Sequence, residues 1–246
     1  MENPTFSIVM PAYNAASTIK GSIDSVLAQV YTDYELIAVN DCSKDNTLQI
    51  LRDYAEQDSR IRVINLENNS GVAVARNAAI EMAAGRYIAF LDSDDLWEPR
   101  KLAVQLETLN SGADVVYAMY TRFYPDGKQS QVNVPEVGDY KKLLTGNFIG
   151  NLTGVYDQEK LGKIFQKKVH HEDYLMWLEI LEKTDYALGI QENLAYYRVG
   201  EDSLSANKIQ SAKWTWDIYR KYCGLNLFSS MYFFSLYVLN SIIKRM

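Results

Sequence analysis

The sequence predicts an α/β protein: a mainly parallel sheet flanked by helices, with a helical tail at the carboxyl end. Two observations carry this prediction. Over the first hundred residues, short β-branched runs alternate with stretches whose apolar residues recur at helical spacing, the pattern of successive strand–helix–strand units. At 246 residues, 48% hydrophobic and 23% charged, the chain also suits one large domain or a domain with an appendage, and not a disordered segment.

The elements follow in order. Phe6-Ser7-Ile8-Val9-Met10 reads as a buried strand, and a helix runs from Ala15 to Val30. Glu35 to Val39 is the second strand, with a helix over about Asp45 to Asp58. Ile61-Arg62-Val63-Ile64 is the third strand, a helix runs from near Gly71 to Ala84, and Tyr87-Ile88-Ala89-Phe90-Leu91 is the fourth strand. Beyond Trp97 the pattern becomes mixed. A helix is expected from Glu98 to Asn110, with Pro99 near its start, where a missing N–H costs nothing. A strand at Asp114 to Ala118 and a turn at Pro125-Asp126-Gly127-Lys128 follow. Glu172 to Lys183 forms an amphipathic helix, with Leu175, Leu178, Ile180 and Leu181 among its apolar residues.

In open sheets of this kind ligands bind beyond the carboxyl ends of the strands. That rule selects Pro11-Ala12-Tyr13-Asn14, Asn40-Asp41 and Asp92-Ser93-Asp94-Asp95, which should converge on one edge. Asp92 and Asp94, two apart on an extended segment, point to the same side and can offer oxygens to a hard divalent cation such as Mg²⁺ or Mn²⁺. With 17 aspartates in the chain, about one Asp-x-Asp arises by chance. Placement directly after an apolar strand is what favours a metal site over a solvated acidic turn. Asp41 can accept a hydrogen bond from a nucleobase N–H; the competing use is helix capping by Ser43 or Asp45. Arg76, in Ala75-Arg76-Asn77 after Asn69-Ser70-Gly71, can reach a phosphate or orient a carboxylate, or be a plain surface arginine.

His170-His171-Glu172-Asp173 opens the amphipathic helix. The helix dipole alone accounts for acids in a first turn. The functional alternative is that one of them is a general base, needed to take an acceptor proton during displacement at an anomeric carbon. The two histidines are candidate metal or phosphate contacts, or simply exposed side chains.

Together and in this order, these segments resemble the family 2 glycosyltransferases of GT-A fold, of the bacterial surface-polysaccharide type. Pro11-Ala12-Tyr13-Asn14 looks like the family's first-strand motif, and Val39-Asn40-Asp41-Cys42-Ser43-Lys44-Asp45 its second, usually Asp-Asp-Gly-Ser-x-Asp. Asn69-Ser70-Gly71 through Ala75-Arg76-Asn77 matches the third. Phe90-Leu91-Asp92-Ser93-Asp94-Asp95, continuing through Trp97, Pro99, Lys101-Leu102 and Gln105, is the most specific match. Glu172-Asp173-Tyr174, then Trp177-Leu178, resembles its Glu-Asp motif.

The resemblance implies a metal-dependent, inverting hexosyltransferase in which Pro11, Tyr13, Asp41, Asn69, Arg76, Asp92 and Ser93 line the nucleotide pocket. Asp94 holds Mn²⁺ or Mg²⁺, Asp173 is the base, Glu172 places hydroxyls and Trp97 shapes the sugar site. Residues 1–205 form the catalytic domain, 1–112 its nucleotide half and 113–205 its acceptor half, leaving 206–246 as a tail. The donor is a nucleotide sugar, UDP-sugar favoured. The acceptor is a glycan, typically on a polyprenyl diphosphate in O-antigen or capsule assembly. Two departures stand out: Asn40 and Cys42 replace the usual Asp and Gly, and Gly200 replaces a histidine that is sometimes a metal ligand, leaving water, Glu201 or Asp202 as substitutes. A sugar nucleotidyltransferase and a non-catalytic nucleotide-sugar-binding protein are the alternatives.

The net charge of −6 is unevenly spread. From Lys208 onward six basic residues face one acid, Asp217, so the tail carries about +5 and the rest about −11. An acidic body argues against nucleic-acid binding. From Leu225 to Ile243 no residue is charged and aromatics are dense. A helix lying in an anionic membrane interface, flanked by Lys221 and Lys244-Arg245, competes with a helix packed on the enzyme or in a homodimer. Cys42 and Cys223 fit a reducing compartment. No basic-then-apolar leader is visible, so a cytoplasmic protein is expected, peripheral at the inner face of the membrane.

Overall fold

The computed structural model describes residues 3–200 and 208–243. Its first half realises the expected alternation: β1 (Phe6–Ala12), α1 (Ile19–Leu27), β2 (Tyr34–Asn40), α2 (Thr47–Gln57), β3 (Ile61–Asn65), α3 (Val72–Met82) and β4 (Tyr87–Phe90). Strands β3, β2, β1 and β4 lie side by side in that order, all parallel. Strands β1, β2 and β4 are buried along their whole length, as continuous apolar runs should be where helices cover both faces. Helix α1 begins later than its apolar spacing suggests. The amides of Ala15 and Ala16 go instead to Thr47 Oγ1 and Asp45 Oδ2 of the neighbouring loop, at 2.8 and 3.0 Å.

The second half contains β5 (Leu96–Trp97), α4 (Lys101–Asn110), β6 (Val115–Phe123), β7 (Gln129–Val132), β8 (Val137–Gly138) and α5 (Tyr140–Leu144). After a 3₁₀ turn at Asn151–Thr153 come β9 (Val155–Asp157), α6 (Gln158–Leu161), α7 (Glu172–Leu181) and β10 (Ala187–Arg198). The sheet continues from β4 through β9, β6 and β10 to β5. Strand β9 runs antiparallel to both β4 and β6, and β10 runs parallel to β6. Strands β6 and β10 therefore point the same way as the first four, and the carboxyl ends of all six share one edge. One continuous sheet spans residues assigned to both halves.

Alternate strand residues feed two cores. Val9, Ile37, Val39, Ile88 and Phe90 pack beneath α3 and α7. Ile8, Met10, Leu36, Ala38 and Leu91 pack against α1 and α4. Trp177 anchors α7: it is fully buried, edge-on to Phe90 and Tyr156. A Cβ at Gly154 would lie 2.2 Å from its ring, so only glycine lets the indole seat there. Burying roughly 200 Å² of indole is worth about 5 kcal/mol, enough to fix where the first turn of α7 stands.

The tail comprises α8 (Lys208–Asp217), a π-type turn at Ile218–Tyr222 and α9 (Leu227–Ile243). It packs on the body. Ile218 and Tyr219 join the core under α7, with Phe233 and Phe234 against it. The Tyr219 hydroxyl pairs with that of Tyr174 at 3.1 Å and donates to Leu144 O. Asn240 Nδ2 donates to Thr145 O at 3.0 Å.

Glu35, 8% exposed, ties the amino ends of the strands together. Its Oε1 accepts from Ser7 Oγ at 2.6 Å and from the Ala84 amide at 2.7 Å, and its Oε2 pairs with Arg62 at 2.8 Å. Burial alone would raise its pKa; the Ser7 hydroxyl, the Ala84 amide and Arg62 together hold it below the ordinary glutamate value. The native state thus binds fewer protons than the unfolded one, and the contribution present above about pH 4.3 is lost as pH falls through the lower folded value. Glu35→Ala should cost about 3 kcal/mol at pH 7, with the deficit shrinking below pH 4, as read by urea unfolding across that range.

Candidate active site

Three loops at the carboxyl edge are laced to one another. Asn14 sits at φ 49° and Cys42 at φ 57°, left-handed conformations that make each loop turn sharply. Asn14 takes the Lys44 amide on Oδ1 at 2.8 Å and gives its own amide to Ser43 Oγ at 3.0 Å. Asp45 caps α2, its Oδ1 accepting from the Thr47 amide at 3.0 Å and the Thr47 hydroxyl at 2.5 Å. Asp41, 3% exposed, accepts from the amides of Ser70 and Gly71 at 2.7 and 2.8 Å, joining the end of β2 to the start of α3. Around this frame Pro11 is buried in β1, while Tyr13 and Asn69 are exposed.

Helix α3 lies close on the sheet because its inner face is alanine: Ala73, Ala75 and Ala79 are buried. Closeness brings Arg76, 5% exposed, to the end of β4. Its NH2 donates to both oxygens of Asp92 at 2.7 and 2.9 Å. Its NH1 reaches Glu172 Oε1 and Gln166 Oε1, each at 3.2 Å. Burial opposes a charged guanidinium, but Asp92, Glu172 and more distantly Asp173 hold the Arg76 pKa above its ordinary value. The acids of the strand motif and those of α7 therefore face one cleft.

The cleft is crowded with negative charge. Asp94 reaches the surface from concave surroundings; partial desolvation there, then the Asp92 carboxylate, push its pKa up. Asp95 is 1% exposed and is raised well above the usual range by burial and by Asp92 and Asp94. Its Oδ1 accepts the Arg198 amide at 2.8 Å, and Arg198 Nε donates to Asp94 O at 3.0 Å. Burial and the charge of Asp173 likewise raise Glu172. Tyr120 stands within range of both groups of acids, and Tyr197, beside Asp92–Asp95, meets it edge-on with centroids 6.4 Å apart. Burial raises both hydroxyls; at Tyr120 the Arg122 guanidinium opposes the rise while Asp95 and Asp173 add to it, and Tyr197, at about 12, feels Asp95 and Asp92.

No three His, Cys, Asp or Glu side chains among the described residues gather to cage a metal ion. The donor set fits a hard cation shared between carboxylate and substrate phosphate oxygens: Asp94, beside Asp92, is a carboxylate whose charge Arg198 and Arg76 offset only in part.

The histidines go elsewhere. His170 stacks on Trp214 at 3.9 Å, and His171, at φ 59°, meets the same ring edge-on and pairs with Ser211 Oγ at 2.8 Å. They dock α8 rather than facing the acids. Glu201 and Asp202 lie outside the described residues.

The profile described as Glycosyl transferase family 2 matches residues 7–165. The chain belongs to this family. It is 40% identical to Bacillus subtilis TuaG, assigned by name to teichuronic acid biosynthesis, over 99% of this chain and 98% of that protein. It is 38% identical to Escherichia coli WfgD, a UDP-Glc:alpha-D-GlcNAc-diphosphoundecaprenol beta-1,3-glucosyltransferase, over 89% of this chain and 86% of that one. Among solved structures, S. aureus TarS in complex with UDP-GlcNAc superimposes with TM-score 0.74 at 22% identity, covering 89% of this chain and 65% of TarS. The mannosyltransferase PcManGT of Pyrobaculum calidifontis, in complex with GDP-Man and Mn2+, gives 0.71 at 18%, covering 92% and 66%. The fold is that of the GT-A glycosyltransferases, and family membership decides against a nucleotidyltransferase.

In a family 2 chain the two departures of the second motif become intelligible. Cys42 holds a left-handed φ of 57°, a conformation that a glycine there would adopt without strain. Asn40 donates from Nδ2 to Asn65 Oδ1 at 2.7 Å, a bond an aspartate could not donate. Trp97 is a correction. Its ring is 3% exposed, donates Nε1–H to Leu152 O at 2.9 Å and lies beneath Lys101 Nζ at 3.8 Å. It supports the cleft from behind and does not line it, because β5 carries it into the core against β10. Tyr120, Gln166 and Arg198 were not singled out as site residues; only their distance along the chain from the motifs hid them.

Arg76→Met would leave Asp92 and Glu172 unpaired, and losing the guanidinium that opposes the rise would push the Glu172 pKa further up in the folded state. The native state would then bind extra protons, so the deficit against wild type should be about 3–5 kcal/mol near pH 7.5 and shrink towards pH 4. Urea unfolding of both proteins at the two pH values checks this.

Proposed function

We propose that this chain transfers a hexosyl group from a nucleoside diphosphate sugar, UDP favoured, to a hydroxyl of a glycan carried on polyprenyl diphosphate, with inversion at the anomeric carbon. The observation that carries this reading is the Arg76 clamp, which holds Asp92, just past β4, and reaches Glu172 of α7, 96 residues on from Arg76, so that both acids meet in one cleft. The names of WfgD and TuaG supply the substrate class.

In this reading residues 1–112 bind nucleotide: Pro11, Tyr13, Asp41, Asn69, Arg76 and Ser93 line the nucleotide pocket, with Asp92 near the ribose. Each oxygen of Asp41 keeps a lone pair beyond its backbone bond, free for a base N–H. A divalent cation on Asp94 and the diphosphate oxygens would neutralise the leaving group. Residues 113–205 receive the acceptor. Asp173 takes the acceptor hydroxyl proton as that oxygen bonds to the anomeric carbon, and the bond to the diphosphate oxygen breaks on the opposite face, its electron pair leaving with the nucleoside diphosphate. Glu172, fixed by Arg76, orients sugar hydroxyls.

Asp173→Asn should lower kcat by about a hundredfold or more while leaving UDP affinity within a few-fold; near-normal turnover would refute the base. Asp94→Ala should abolish the Mn²⁺ dependence of donor binding in titration calorimetry. Donor hydrolysis by wild type would exclude a non-catalytic binder.

The tail supports a membrane-surface role. No helix among the described residues is long and apolar enough to cross a bilayer. Along α9, however, Leu227, Phe228, Met231, Tyr232 and Leu239 form one exposed stripe, Phe228 at 84%. Exposed Lys221 precedes this helix in sequence and Lys244-Arg245 follow it. An apolar stripe with basic flanks suits the inner, anionic face of the cytoplasmic membrane, where a lipid-linked acceptor resides. Phe228→Ser with Met231→Ser should abolish co-sedimentation with phosphatidylglycerol vesicles, and phosphatidylcholine vesicles should bind wild type less. A homodimer lost in the double variant, with no vesicle binding by wild type, would assign the stripe to a second copy.

A further inference from the structure

We propose that Asn151 binds a hydroxyl of the transferred sugar and so contributes to donor recognition, an inference that rests on the glycosyltransfer reading above. Nothing in the motif pattern points to this residue; three structural observations do.

The first is its place. Strand β9 runs antiparallel to β4 and to β6, with Val155 opposite both Ala89 and Val116. The chain entering β9 therefore comes from beyond the carboxyl end of β4, where Asp92–Asp95 follow, and runs beside the middle of β6 towards Tyr120. Gly150 confirms the position: a Cβ there would stand 2.7 Å from the Tyr120 ring, so the turn is pressed against the tyrosine within range of both groups of acids.

The second is that the turn is held from behind. Trp97 Nε1 donates to Leu152 O at 2.9 Å and Gln105 Nε2 to Thr153 O at 2.6 Å. Lys101, fully buried, donates to Gln105 Oε1 at 2.6 Å. Thr153 Oγ1 closes the turn on Gly150 O at 2.9 Å. Side chains of β5 and α4 thus fix the backbone just after Asn151, and Thr153 fixes Gly150 before it, the kind of support that a recognition group requires.

The third is that the Asn151 side chain, in a residue 9% exposed, has no hydrogen-bond partner on either Nδ2 or Oδ1. A carboxamide buried with both ends unused is unfavourable unless something else meets it. It offers a donor and an acceptor together, and a sugar hydroxyl needs both. The turn flanks the strand end where the diphosphate is placed, whereas the acceptor enters beside α7. The ring one bond from the diphosphate is therefore the sugar within reach.

Asn151→Leu, nearly isosteric, and Asn151→Ser test this with UDP, UDP-glucose and UDP-N-acetylglucosamine as probes in the presence of Mn²⁺. Expected are an unchanged UDP affinity, a loss of affinity and a rise in donor KM of about tenfold or more for the sugar nucleotide that wild type takes, and an unchanged acceptor KM. Thermal stability of the leucine variant should hold or rise, since the unpartnered amide is gone. Unchanged donor parameters, a loss confined to the acceptor KM, or equal weakening towards UDP and the sugar nucleotide with a lowered Tm would each overturn the assignment. A wild-type protein that binds UDP but neither sugar nucleotide would remove the donor-sugar contact, and one that binds no nucleotide or nucleotide sugar at all would remove the glycosyltransfer reading itself.

Discussion

A guanidinium with 6% of its side chain exposed, holding carboxylates from two distant segments, is the constraint on which the rest of the site depends. Placing a cation in such a position is costly unless its partners are close and well oriented. Here Asp92 is engaged by a two-point contact and Glu172 by a second nitrogen. The arrangement is possible only because α3 presents alanines to the sheet and so approaches it closely. Gln166 completes it: its side chain meets Arg76, while its backbone exchanges hydrogen bonds with Asn77 at 2.7 and 2.8 Å. Neighbouring residues of α3 thereby fix both the acid at the strand end and the segment leading into α7.

Around this cation the cleft holds more negative charge than it neutralises. Arg76 serves Asp92 and Glu172, which leaves Asp94 and Asp95 with raised pKa values and only backbone amides or a distant guanidinium for relief. Such a surplus is what a site would need if it receives a divalent cation together with a diphosphate. The backbone carries part of this organisation. The pairing of β10 with β6 shifts register twice between Ile190 and Tyr196, and beyond these irregularities Arg198 gives its amide to Asp95.

How much of this was legible in the sequence depends on the range of the interactions involved. Strands β1, β2 and β4 declared themselves because both their faces are covered, so each reads as an unbroken apolar run. Strand β9 is three residues long and β10 is broken by register shifts, so neither leaves a periodic signal even though they complete the sheet. Asp92, Arg76 and Glu172 were each identifiable as candidates; their meeting was not, because it depends on tertiary contacts between segments that no local pattern links. Trp97 shows the opposite error. A tryptophan two residues after an acidic motif looked like a sugar platform, but a two-residue strand turns it into the core. The histidine pair was spent on Trp214, whose own position follows from the docking of the tail.

That docking connects catalysis to the surface on which the acceptor would be found. Tyr174 follows the proposed base directly in sequence, and its hydroxyl meets Tyr219 of the tail at 3.1 Å inside the core. The same tail continues into α9, whose inner side packs on the body through Phe233 and Phe234 and whose outer side carries the apolar stripe. Both the base-bearing helix and the stripe are thus joined to the body through packed, hydrogen-bonded contacts, with no flexible linker needed between Tyr219 and α9. If α9 rests on lipid, the direction in which the cleft faces the membrane is set by the Tyr174–Tyr219 contact and the packing around it. A lipid-linked acceptor would then reach Asp173 with part of its orientational search already completed, the physical advantage of fixing an enzyme at the interface where its substrate is anchored.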